Sequence, residues 1–176
     1  MKNSLYNRTH IREYLIYGLF SAIVFIIPVW IYLYQADYEK TWFVFSGSIF
    51  FMFVIMAYAW KLCKRRPDYK STWMMIMASH LAVFTGILFS VIFTTILCFI
   101  YIPDFLSAHS ENVFGNAPTG VNNHNFNSIS LLYVCATVEN YGAGGFIGAL
   151  APYVFKRNQT KDRTAVLDPD LRNPKP

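Results

Sequence analysis

The chain has 176 residues, which suits one domain and leaves little room for a second. Hydrophobic residues make up 55% and charged residues only 14%, whereas a water-soluble domain is nearer a quarter charged. The net charge of +5 gives no nucleic-acid signal here, because the basic residues are distributed by topology, as set out below.

The apolar residues fall into four blocks, 14–34, 41–62, 71–102 and 129–155. Each reaches the roughly 20 residues a helix needs to cross about 30 Å of hydrocarbon. They are apolar all round rather than along one stripe. The predicted fold is all-α: an integral membrane four-helix bundle. The first block has too long an apolar run for a cleaved signal peptide, and no small-x-small cleavage site follows it.

The N-terminal segment carries Lys2, Arg8 and Arg12, and the first loop carries only Lys40. The second loop carries Lys64, Arg65, Arg66 and Lys70, with Lys61 at its edge. The long third loop, 103–128, carries none, and the tail carries the remainder. One side thus holds 14 of the 15 Lys and Arg, and the positive-inside rule makes that side cytoplasmic. Both termini are expected in the cytoplasm, with a long extracytoplasmic loop between the third and fourth helices. The run Lys64-Arg65-Arg66 is suited to anionic lipid headgroups. Trp30, Trp42, Trp60 and Trp73 fall near block ends, where an aromatic belt is expected.

The first loop, Gln35–Lys40, is so short that the first two helices must be antiparallel neighbours. In the third loop, 103–114 has the apolar members of a short interfacial helix. The tail, 158–176, is polar and holds three prolines, so disorder is expected there.

The third block has small residues at every fourth position from Ala78 through Gly86 to Cys98. The fourth has Gly142, Gly144, Gly145 and Gly148. Gly86 and these four are candidate packing positions, since small residues let helix backbones approach. The partner is another span or a second copy of the chain. A glycine-lined passage is the alternative.

Glu139 is the only acidic residue well inside a block, roughly 15 Å from the outer start of its helix. An intramembrane carboxyl is costly, and by default it marks a proton relay or a cation site. Asn140 and Tyr141 follow it, and His80 is the one histidine inside a block. The alternative is a neutral carboxyl bonded to a neighbouring helix.

No cofactor is expected. One intramembrane His cannot supply the two axial ligands that a haem between helices needs. Asp104, His109, Glu111 and His124 in the third loop match no metal-binding spacing. Cys63, Cys98 and Cys135 form no CxxC pair, although Cys98 and Cys135 both lie toward outer ends. No nucleophile–base arrangement appears, so an enzyme is not expected.

The plan resembles an uncharacterised bacterial family of small four-helix inner-membrane proteins, a domain of unknown function. The features that carry the likeness begin with the short segment before Tyr14. They continue with the basic stretch Lys64–Lys70 leading into a glycine-containing third span, and the long outer loop. The last is the glycine-rich helix closing with Val154-Phe155-Lys156-Arg157. The resemblance implies a bacterial inner-membrane location and this fold, with no known activity. The leading expectation is a non-enzymatic structural, assembly or accessory subunit, partnered by lipid and by copies of itself or a larger membrane complex. The second is a small proton- or cation-coupled transporter using Glu139.

Overall fold

The structure is a computed structural model that describes residues 8–64, 72–102, 105, 114 and 125–164. It is helical throughout these elements. Helix α1 spans Arg8–Gln35, α2 Trp42–Lys64 and α3 Thr72–Tyr101. A helical rod then runs from Asn125 to Thr164 in three parts: α4 (Asn125–Val134), a π-turn (Cys135–Glu139) and α5 (Asn140–Thr164).

The first three helices have 28, 23 and 30 residues and are long and apolar enough to cross a membrane. The rod carries the fourth apolar block, but the π-turn divides it. Apolar side chains cover the outside of all four rods: Phe20, Ile27, Phe53, Leu88, Phe99 and Phe146 are each at least 48% exposed. So extensive an apolar surface is compatible with a membrane and is rare on a water-soluble monomer.

The packing follows the small residues. Helix α1 lies against α2 and α3, and α5 lies against the same two from the opposite side. The chain therefore forms a four-rod bundle in which α2 and α3 occupy the shared diagonal. A Cβ built on Gly18 would lie 2.7 Å from Thr85 Cβ and 2.8 Å from the Ala82 carbonyl oxygen. One on Gly47 would lie 2.9 Å from the Phe25 carbonyl oxygen. These are the backbone contacts that only glycine permits. Phe51 wedges between α3 and α5: a Cβ on Gly86 or Gly144 would meet its ring at 2.7 or 2.8 Å respectively.

The short connection from α1 to α2 closes through Ala36, whose φ of 49° puts an alanine in the left-handed region. Its N–H still donates to Tyr32 O at 3.2 Å. Asp37 then caps a single turn at Tyr38–Lys40, accepting from the Glu39 N–H at 3.1 Å and pairing with Lys40 at 3.4 Å.

Two sequence expectations change. The rod continues to Thr164, so residues 158–164 are helical rather than disordered. That stretch holds no glycine or proline, and the first proline after it is Pro169. The helical start of α1 at Arg8 also precedes the apolar block by more than a turn. The interfacial helix expected at 103–114 and the loop residues Asp104, His109, Glu111 and His124 lie outside the described residues, apart from Phe105 and Phe114.

Candidate functional site: a buried polar layer at the π-turn

In an α-helix the Asn140 N–H would bond the Ala136 carbonyl. Here it donates instead to the carbonyls of Cys135 and Thr137. The displaced Ala136 carbonyl is taken up by the Asn140 side chain, whose Nδ2 donates to it at 3.3 Å. Thr137 Oγ1 likewise donates to Tyr133 O at 2.6 Å. The polar residues of this stretch thus satisfy the backbone groups that the π-turn rearranges. Single π-turns of this kind are concentrated at functional sites.

Asn140 is fully buried, and its Oδ1 has no hydrogen-bond partner among the described residues. Glu139 is half-buried, and its Oε2 is equally unpartnered. The Cys135 thiol hydrogen-bonds the Glu139 side chain, which turns the carboxyl back along the rod. Cys135 and Cys98 are both buried free thiols.

The heights of the facing helices follow from contacts on either side. Gly144 lies beside Val83 and Phe51, and Gly148 beside Ser79 and Ile55. The Thr95 and Tyr133 hydroxyls meet at 2.8 Å. This register sets Ser48 of α2 near the height of Tyr141, Ser90 of α3 near Thr137 and Thr94 near Tyr133. All three hydroxyls are buried, and none has a hydrogen-bond partner. With those of Asn140 and Glu139, five oxygens without a partner among the described residues are thus spread over about two turns of the bundle on the α4 side of Phe51.

The other residues expected at this site lie elsewhere. Tyr141 is 47% exposed and packs its ring on Phe84, on the outer surface rather than beside Glu139. His80 Nδ1 bonds the Ile76 carbonyl of its own helix at 2.9 Å, and its ring faces Gly145 and Gly148. That is about two turns below Glu139, so the two do not pair.

The packing positions also separate. Gly86, Gly144 and Gly148 are buried contacts, Gly148 meeting Ser79 Cβ at 3.2 Å. Gly145 has only ordinary contacts, at 3.8 Å or more. Gly142 takes no part in the packing within this chain: a Cβ there would meet nothing within 4 Å, and the residue faces outward.

No family model, curated protein or solved structure matches the chain.

A second polar cluster, which the sequence reading passed over, joins α1 to α2 at the basic end of the bundle. Glu13 lies 3.3 Å from Lys61 Nζ and 3.9 Å from His10 Nδ1. Lys61 sits 4.9 Å above the Tyr17 ring, which stacks on Tyr58 at 4.8 Å. The signal available in sequence was the polar spacing His10, Glu13, Tyr17 down one helical face. Lys64 Nζ is held 4.3 Å over the Trp60 ring, while its proposed lipid-binding companions Arg65 and Arg66 lie outside the described residues.

Proposed function

We propose that the chain is a four-span membrane protein, both termini cytoplasmic, that handles protons or monovalent cations at Glu139. The charge split of 14 to 1 supports the orientation. The rod through the π-turn supplies the fourth span, and the loop between α3 and α4 is then extracytoplasmic. Kinship with small four-helix proteins of bacterial inner membranes, and that location, belong to the same proposal.

The observation that carries the functional reading is the layer of unpartnered oxygens around Asn140 and Glu139. A hydrophobic bundle that needed only to pack would have no reason to keep a carboxyl and a carboxamide with unpartnered oxygens next to each other inside it. In hydrocarbon, polar residues are costly and are retained for function or pairing. No described Lys or Arg pairs with Glu139.

A second reading, a structural or accessory subunit, is favoured by the Phe51 wedge. Its contacts at Gly86 and Gly144 make the layer below the site tightly filled. Such a bundle suits a partner that scaffolds a larger membrane assembly.

Reconstituted proteoliposomes with an internal pH dye separate the two. A transporter moves protons under an imposed gradient, and Glu139→Gln abolishes the flux while the protein still folds. A parent that moves no protons under proton or alkali gradients favours the accessory role.

A further inference from the structure

The basic close of α2 and the basic close of α5 are far apart in the chain, and the fold brings them to one place. Gly144 lies beside Phe51 and Gly148 beside Ile55, so α2 and α5 run side by side in the same direction. Extended along both helices, that register puts Lys64 level with Arg157. The Trp60 and Phe155 rings, 6.4 Å apart, keep the two helices adjacent at this end. Helix α5 continues to Thr164 and carries Lys156, Arg157, Lys161 and Arg163 beyond Phe155, against the single acid Asp162.

The two lysines that close α2 have different surroundings. Lys61 has Glu13 of α1 at 3.3 Å, which offsets its charge. Lys64 has no carboxylate of a described residue within ion-pair distance, and its Nζ lies 4.3 Å above the Trp60 ring. Trp60 is itself exposed, as is Tyr153 at the same height on α5. Amphipathic rings at the end of an apolar span belong at the headgroup level of a bilayer. Phe53, two turns further in on the same face of α2, is exposed as well. From the bilayer interior outward, this face offers an apolar wall, then two amphipathic rings, then uncompensated positive charge.

A matching ligand is apolar at one end and anionic at the other. Inorganic phosphate or an acidic peptide would meet the charge and leave Phe53 and the rings uncovered. A phosphatidylcholine would cover the rings but bring its own cation toward Lys64 and Arg157. An anionic phospholipid meets all three zones, and basic pockets between spanning helices are a recurring form of such sites.

We infer that the adjoining basic ends of α2 and α5 bind the headgroup of one anionic phospholipid. Lys64 and Arg157 supply the charge, Trp60 and Tyr153 flank the glycerol level, and an acyl chain runs along Phe53. The inference needs only a membrane-spanning bundle and is independent of what Glu139 does.

The test is native mass spectrometry of the full chain released from a neutral detergent, which counts the lipids it retains. Phosphatidylglycerol and phosphatidylcholine with identical acyl chains are supplied in equal amounts. The parent should keep one phosphatidylglycerol in clear preference. Lys64→Gln and Arg157→Gln should each lower that retention several-fold. Trp60→Leu, which changes no charge, should lower it too. Arg163→Gln removes a charge about 9 Å further along α5 and should change it little. Excess inorganic phosphate should not displace the lipid.

Equal retention of the two lipids by the parent would overturn the inference, and that comparison needs no variant to fold. Losses that follow charge alone, with Arg163→Gln matching Lys64→Gln and Trp60→Leu silent, would mean diffuse attraction and would overturn the site. Displacement by phosphate would overturn the choice of a lipid and leave an anion site.

Discussion

Gly18 is the position where one methyl group should cost the most. A Cβ there would sit 2.7 Å from Thr85 Cβ and 2.8 Å from the Ala82 carbonyl oxygen. Ordinary carbon–carbon contact is about 3.5–4.0 Å. Relief therefore requires α1 and α3 to separate by several tenths of an ångström or more along a shared face. One of the two obstacles is backbone, which cannot rotate away. Overpacking of this kind costs about 1–3 kcal/mol. Gly18→Ala also gains helix propensity of about 0.5–1 kcal/mol, which offsets part of the cost. Gly142→Ala makes the same chemical change where a Cβ meets nothing, so only the gain remains. The two variants should move in opposite directions, Gly18→Ala losing and Gly142→Ala gaining stability. Reversible unfolding in mixed detergent–SDS micelles, followed by tryptophan fluorescence, reads both. If Gly18→Ala unfolds no more readily than Gly142→Ala, the close approach of α1 and α3 at this height is refuted.

Ala36→Gly should stabilise the fold by up to about 1 kcal/mol in the same assay, because glycine adopts the left-handed φ of 49° without a Cβ penalty. Asn140→Leu should lower stability by about 1–3 kcal/mol, since the Ala136 carbonyl loses the donor that the π-turn requires, whereas Tyr141→Leu on the outer face should be near neutral. Orientation is checked by reporter fusions: an export-dependent reporter should be active when fused at Asn116 and silent at Arg157, and the reverse pattern would invert the proposed topology.

The first three helices were legible because a helix in hydrocarbon must be long and apolar, and those two properties are written directly in the chain. Block 71–102 and helix α3 differ by a residue at either end. The fourth was harder. Its apolar run announces a rod, but nothing short of geometry announces the π-turn, whose only trace is the polar pair Glu139-Asn140 inside that run. An extra residue in a turn rotates everything beyond it, so faces extrapolated along the rod fail on the far side. Tyr141 and Gly142, placed with the site and the packing seam by adjacency, face outward because each step along the α-helix turns by about 100°. Consecutive glycines also cannot all meet one partner at 100° per residue: Gly144 and Gly148 face in, Gly142 does not. The two close approaches to a neighbouring backbone were missed for the opposite reason. Gly18 and Gly47 are single glycines among large residues and carry no repeat, whereas the cluster at 142–148 drew attention by its density.

The two halves of the bundle make different demands on function, and Phe51 divides them. Below its ring, Gly86 and Gly144 close on it with no space for a side chain, and apolar residues such as Val83, Ile55 and Leu62 fill the interior. Above it stand the unpartnered oxygens of Asn140 and Glu139. A site that exchanges an ion or proton gains a barrier on one side. Transport would then require the ring to leave the gap between α3 and α5. Replacing Phe51 by Leu should keep the packing largely intact but shorten the plug. In proteoliposomes the variant should therefore leak protons faster than the parent, and it should lose that leak when combined with Glu139→Gln. A leak that persists in the double variant would mean the protons bypass Glu139, and a tight Phe51→Leu bundle would mean the ring is packing and not a gate.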